Sequence, residues 1–241
     1  MFAVKGGRYI THMLRLREIA TPLANFFASG LFNLRDKLGP ILWQLPPNLR
    51  FERERFNQFL QLLPRDTVSA AALARRRERW MKGRVRLSVD AERPIRHAIE
   101  VRNASFCTPE FLELLRAHGV ALVIAETAQR WPMLQDLTAD FVYLRLHGDR
   151  QLYRSGYGDV ALERWAERIR AWAGGGEPAD AVLVGPRAAL CASRDVYCFF
   201  DNTDDKLRAP VDAGSLMHKL GLRPVVTAKK SDARIARSMG R

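Results

Sequence analysis

Short, continuously apolar runs alternate along the chain with longer stretches whose apolar residues recur at helical spacing, and this pattern predicts an α/β architecture around a parallel sheet. The runs are Phe2 to Lys5, Pro40 to Leu45, Ala98 to Val101, Ala121 to Ala125, Phe141 to Leu146 and Val196 to Phe200. Most are apolar at every position rather than at every second one, as expected of strands covered on both faces. Between them, Phe56, Phe59, Leu60 and Leu63 form one helical stripe, Phe111, Leu114, Leu115 and His118 a second, and Leu162, Trp165, Ile169 and Trp172 a third. Stripes of this kind predict helix faces packed on a sheet. Thr21-Pro22 and Thr108-Pro109 each read as an N-cap threonine before a proline at the first helical position, and Gly119 stands where a helix can end in the left-handed conformation.

Residues 65–97 break the alternation. From Ala70 to Trp80 the residues are strong helix formers with little core-facing period, which predicts a solvated, basic helical insertion. Gly174-Gly175-Gly176-Glu177-Pro178 reads as a flexible loop, and the last nineteen residues as a mobile basic tail. The domain organisation expected is therefore one barrel-like domain over 1–222, carrying the insertion at 65–97, followed by a tail over 223–241.

Composition narrows the class. With 241 residues, 47% of them apolar, the chain is globular and long enough for one large α/β barrel. The net charge of +13 suggests a polyanionic partner until it is located. Residues 65–97 hold ten basic and four acidic side chains and 223–241 six and one, so these two segments carry eleven of the thirteen charges. The remaining body is nearly neutral. Cys107, Cys191 and Cys198 are odd in number and show no C-x-x-C pairing, which argues against a disulfide framework and a zinc knuckle and makes a reducing cytosol the expected, cytoplasmic location. No apolar run approaches the ~20 residues of a membrane span, and no signal-peptide pattern follows Met1.

The strong catalytic motifs are missing: there is no G-x-x-x-x-G-K, G-x-G-x-x-G, H-E-x-x-H or G-x-S-x-G. Candidate chemistry lies instead where α/β sheets place it, at the carboxyl ends of the strands. Lys5 is followed by Arg8, Thr11 and His12, and Gln44 ends the second run. Glu100 and Arg102, two apart, share a face, as do Tyr143, Arg145 and His147. Glu126 ends the fourth run and Asp201-Asn202 the sixth. A charge inside an apolar strand needs a partner, so Glu100, Arg102 and Arg145 must meet each other or a ligand. His97 and His218 have no such setting and are expected at the surface.

Lys5 with Thr11-His12, the run Leu42-Trp43-Gln44-Leu45-Pro46-Pro47, Glu100-Val101-Arg102, Tyr143-Leu144-Arg145-Leu146-His147-Gly148, and Tyr197-Cys198-Phe199-Phe200-Asp201-Asn202 with Ala209-Pro210 and Asp212-Ala213 behind it, resemble the YecE-like family, the domain of unknown function numbered 72. The resemblance spans residue 2 to about 222. It implies a TIM-barrel-like fold with a polar cleft at the strand carboxyl ends, and no known reaction. Family members carry aspartate where this chain has Glu126, and an Asn-Asn pair where it has Asp201-Asn202. Their opening Gly-Trp-Ser-Tyr-like and Glu-x-Asn-like units have no counterpart, so about six of eight strands are expected, in a family member shortened at its amino terminus. Its exposed strand edges would need cover from the tail or another chain, a homo-oligomer among the candidates.

The function expected from these residues is the binding of a small anionic or phosphate-bearing ligand at the strand carboxyl ends. Lys5, Arg102 and Arg145 hold the anion, with His12, Gln44 and Asn202 as further ligand contacts, Glu100 or Glu126 as general base and His147 as acid or base. No cofactor is identified. A zinc site is disfavoured by the single strand-end histidine, and a Mg or Mn site through Glu100, Glu126 and Asp201 is a weaker option. Two alternatives stand beside this reading: a nucleic-acid-binding module built on Arg75 to Arg86 and the tail, and an inactive remnant.

Overall fold

The computed structural model describes residues 1–202 and 207–223. The expected basic tail therefore lies outside the described residues, except for Arg223. Six strands form a single sheet: β1 (Phe2–Lys5), β2 (Leu38–Gln44), β3 (His97–Glu100), β4 (Ala121–Glu126), β5 (Phe141–Leu146) and β6 (Asp195–Phe200). Their order in space is their order in the chain, and every neighbouring pair is parallel. Six helices flank them: α1 (Ala20–Ala28), α2 (Arg53–Leu62), α3 (Thr67–Ala74), α4 (Pro109–Ala117), α5 (Asp159–Ala173) and α6 (Arg208–Lys219). The sheet curls into an open, TIM-barrel-like half-barrel. Among the described residues β1 and β6 each pair with one neighbour only, and the Tyr197 hydroxyl of β6 reaches to 3.2 Å from Met1 Sδ beside β1.

The two faces of the sheet bury different sets of side chains. Outward-facing Ile41, Trp43, Ile99 and Leu122 pack with Phe27, Phe56, Phe59, Leu60, Phe111 and Leu115 of the first four helices. Ile124, Val142, Leu144 and Leu146 pack with Leu162, Trp165, Ile169 and Trp172 of α5 and Leu216 of α6. Inward, Leu42, Ala98, Val123, Ala125, Phe141 and Tyr143 fill the half-barrel, with Ala3, Tyr197 and Phe199 against them. This two-sided burial explains why the strands read as continuous apolar runs. At the end of β1 the chain comes so close to Trp43 that any Cβ on Gly6 would enter the indole ring. That contact draws Lys5 in beside β2.

Three expectations differ from the structure. α1 starts at Ala20, so Thr21-Pro22 lies within its first turn, whereas Thr108 does cap α4 by accepting a hydrogen bond from Phe111 N at 3.3 Å. The solvated insertion is a packed helix followed by irregular chain: α3 ends at Ala74, and Ala70, Ala71 and Ala74 are buried against α1. Alanines carry little apolar signal one by one, yet they let two helices approach closely. Asp66 caps α3, accepting from Ser69 N at 2.7 Å, and the exposed arginines 75, 76 and 79 lie beyond its end. Finally, His97 is 1% exposed, while His218 is exposed as expected. His97 accepts a hydrogen bond from Trp43 Nε1 at 3.1 Å on Nδ1, which leaves Nε2 protonated and donating to the Pro64 carbonyl at 2.8 Å. Burial holds its pKa down to about 4, so it is neutral.

Candidate functional site

The inward register brings the polar strand ends together. Gln44 pairs with Glu100 across β2 and β3, and Arg145 pairs with Ala125 on one side and Phe199 on the other. Side chains two residues on from the interior apolar layer therefore form a polar layer at the carboxyl end, the mouth of the half-barrel. Lys5 Nζ donates to Gln44 Oε1 at 2.9 Å, and Gln44 Nε2 donates to Glu100 Oε1 at 2.8 Å. Arg102 Nε donates to the same Glu100 oxygen at 2.9 Å, and Arg145 spans Glu100 and Asp201 with its two terminal nitrogens.

Five charges meet in this layer: Lys5, Arg102 and Arg145 against Glu100 and Asp201. Both terminal nitrogens of Arg145 are spent on carboxylates, and the side chain is nearly buried. Burial pushes the Glu100 carboxyl up, but the guanidinium groups of Arg145 and Arg102 and the Gln44 amide outweigh it, so its pKa lies below the ordinary value. Glu100 is thus a permanent anion and a poor general base. Lys5, by contrast, is exposed and has no carboxylate within ion-pair distance among the described residues. Burial of part of its stem and the nearby Arg145 lower its pKa. Arg102 stacks on Trp131, its guanidinium 3.9 Å from the ring centroid, and reaches the Tyr153 hydroxyl at 3.5 Å.

His12 stands at the rim on the π-helical turn Tyr9–Met13, its Nδ1 2.8 Å from Thr11 Oγ1. Burial, Arg8, Lys5 and Arg102 lower its pKa, so a cationic environment extends from the mouth to this turn. Beside it, a basin of about 790 Å³ is lined by Met13, Arg15, Arg17, Arg50 and Arg55, among others. His147 follows β5. Both its ring nitrogens are buried without a hydrogen-bond partner, and Nδ1 lies 3.7 Å from Asp201 Oδ2. Burial and the adjacent Arg145 lower its pKa to about 4, so the ring is neutral. Tyr153 covers it edge-on, the two ring centroids 5.3 Å apart.

Two of the residues expected at the site lie apart from this layer. Glu126 is one position beyond inward-facing Ala125 and pairs with outward-facing Leu146, so it projects towards the helices. Burial and Asp149 raise its pKa, and Arg168 of α5 is among its charged neighbours. Asn202 is fully buried and clips β6 to α6, donating to Asp212 Oδ2 at 2.7 Å and to the Ser155 carbonyl at 3.2 Å. With Glu126 turned away, the carboxylates considered for Mg or Mn do not converge, and no group of three or more His, Cys, Asp or Glu among the described residues could hold a metal ion. Sequence reasoning missed Trp131 and Tyr153. Both are loop aromatics shortly after strand ends, which is the only signal that could have drawn attention to them.

An open, parallel α/β half-barrel with a charged mouth at its strand carboxyl ends places the protein among TIM-barrel-like folds. A family model described as a protein of unknown function, DUF72, matches residues 1–235, and the chain belongs to that family. A crystal structure of a DUF72 family protein from Thermotoga maritima superposes with a TM-score of 0.64 at 20% identity, over 91% of this chain and 73% of that one. A DUF72 family protein from Enterococcus faecalis gives 0.52 at 18% identity, over 78% of this chain and 60% of that one. These likenesses concern the fold. No curated protein matches the sequence. No helix among the described residues is long and apolar enough to cross a membrane.

Proposed function

We propose that the protein binds a small anionic, phosphate-bearing ligand at the mouth of the half-barrel. One observation carries this reading: both carboxylates of the mouth are engaged by Arg145, while Lys5 faces solvent without a carboxylate and Arg102 keeps donors beyond its bond to Glu100. The mouth thus holds three positive charges against two negative, with Arg8 and His12 alongside. The neighbouring cations lower the pKa of Lys5 and of His12, a sign of repulsion that a bound phosphate relieves. Gln44 orients the Lys5 ammonium, and Trp131 orients the Arg102 guanidinium, so both donors are positioned before the ligand arrives. Arg145 acts from behind as the cation that keeps Glu100 and Asp201 occupied.

Calorimetric titration with inorganic phosphate at low salt tests this reading. Lys5→Ala and Arg102→Ala should each weaken binding about tenfold, the effect of losing a charge-assisted hydrogen bond. Arg75→Ala, distant and exposed, should leave it unchanged. Equal affinity in all four proteins would remove the site from the mouth.

A further inference from the structure

His147 is unusual in this molecule. Its side chain is 1% exposed, yet neither ring nitrogen has a hydrogen-bond partner among the described residues. A buried polar group left unpaired in this way costs stability, so its partner is to be sought outside the described residues, and a bound ligand can supply it. Asp201 lies beside it, and the 3.7 Å between Nδ1 and Oδ2 is too long for a direct hydrogen bond. A single oxygen about 2.8 Å from each, with a near-tetrahedral angle between its two hydrogen bonds, holds such a pair about 4.5 Å apart, so a bridging oxygen requires the two side chains to part by under about 1 Å. A neutral imidazole offers one N–H and one lone pair, and a carboxylate only accepts. An oxygen that accepts from Nδ1–H and donates to Oδ2 is that of a water or of an alcohol hydroxyl, and the second is what a ligand can bring.

The position of this gap relative to the phosphate-binding donors narrows the ligand. Tyr153 touches both: its hydroxyl lies 3.5 Å from Arg102 and its ring edge covers His147. One tyrosine side chain therefore spans the distance between them. Tyr153 is 40% exposed and holds a left-handed backbone at φ 64°, in a loop that leaves β5 through Gly148 at φ 120°. It is a cover that a ligand can displace, exchanging its contacts with Arg102 and His147 for the ligand's own.

Resting on the anion-binding reading above, we propose that the ligand is a phosphorylated polyol: its phosphate meets Lys5 and Arg102, and a neighbouring hydroxyl bridges His147 and Asp201 beneath a displaced Tyr153. His147 is then a specificity-determining residue for hydroxyl-bearing phosphates. A neutral ring suits this role, because it can donate to the hydroxyl without adding a buried charge.

Glycerol 3-phosphate and propyl phosphate, which differ in the hydroxyl groups, are the probes. Glycerol 3-phosphate should bind the full chain about three- to tenfold more tightly, one to two hydrogen bonds' worth. In His147→Leu that preference should vanish while propyl phosphate affinity is retained. As a second readout on the unaltered protein, the His147 ring nitrogens should shift in NMR spectra with glycerol 3-phosphate and stay in place with propyl phosphate. Equal binding of the two probes by the unaltered protein, or a preference that survives in His147→Leu, overturns the hydroxyl assignment and leaves the phosphate site standing. Failure of both probes to bind removes the phosphate site and this inference with it.

Discussion

Replacing Glu100 with glutamine tests the polar layer at its centre. Glutamine keeps the shape of the side chain, removes the charge and turns one of the two accepting oxygens into an NH2 donor. In the native protein Glu100 accepts from Gln44, Arg102 and Arg145, and its side chain is 1% exposed. The substitution leaves Arg145 buried with Asp201 as its one remaining counter-charge, and Asp201 is 35% exposed and partly solvated. Breaking a buried ion pair from one side typically costs ~3–5 kcal/mol, because the orphaned charge stays desolvated. For a chain of this size each kcal/mol shifts the melting temperature by ~2–4 °C, so a fall of roughly 10 °C is expected. Replacing Glu100 and Arg145 together with methionine removes both charges and should recover more than half of that loss. Differential scanning calorimetry at pH 7 reads both variants. A Glu100→Gln protein that melts within about 2 °C of the unaltered chain would show that the three cations do not depend on this carboxylate.

Stability should also depend on pH below neutrality. His97 and His147 are both held near pKa 4 by burial, against an ordinary ~6.5 in the unfolded chain. Their folded pKa is the lower one, so their contribution is complete above ~6.5 and drains away as pH falls towards 4, at up to ~1.4 kcal/mol per pH unit for each histidine. Urea melts at pH 7, 6 and 5 measure this, and a flat profile would contradict the burial of the two neutral rings. His147→Leu removes an unpaired buried polar group and should leave the melting temperature unchanged or raise it, whereas a large loss would point to an internal hydrogen bond. Gly148→Ala places a methyl group against the Gln151 carbonyl at a backbone φ of 120°, and should lower the melting temperature and loosen the loop that carries Tyr153, seen as faster amide exchange there. Trp43→Phe leaves His97 Nδ1 without its donor in a buried place and should cost ~1–3 kcal/mol in denaturant unfolding.

The four inner strands β2 to β5 were legible because each is buried on both faces and therefore announces itself as an uninterrupted apolar run, and the part-exposed edge strands β1 and β6 were legible because they are apolar too. Most of the polar layer was legible for the same reason: a lysine, glutamine, glutamate or arginine closing such a run stands out. Side-chain parity would have separated Glu126 from the others, since it falls one position after an inward-facing alanine and two-residue spacing alone does not connect it to Glu100. His97 could not be read from its neighbours in sequence, because its partners Trp43 and Pro64 lie 54 and 33 residues away. Trp131 and Tyr153 sit in loops without periodicity, and their role becomes visible only when chain closure brings them onto Arg102 and His147. The packing of α3 was hidden by its alanines, which contribute through close approach rather than bulk.

The central claim is that the half-barrel mouth, through Lys5 and Arg102, is where a phosphate group binds. A crystal of the protein soaked in tungstate, a phosphate-shaped anion with strong anomalous scattering, tests it directly. The anion should lie about 3 Å from both Lys5 Nζ and an Arg102 terminal nitrogen, in front of the Glu100–Arg145–Asp201 chain. Tungstate held instead among Arg15, Arg17, Arg50 and Arg55, with none at the mouth, would contradict it.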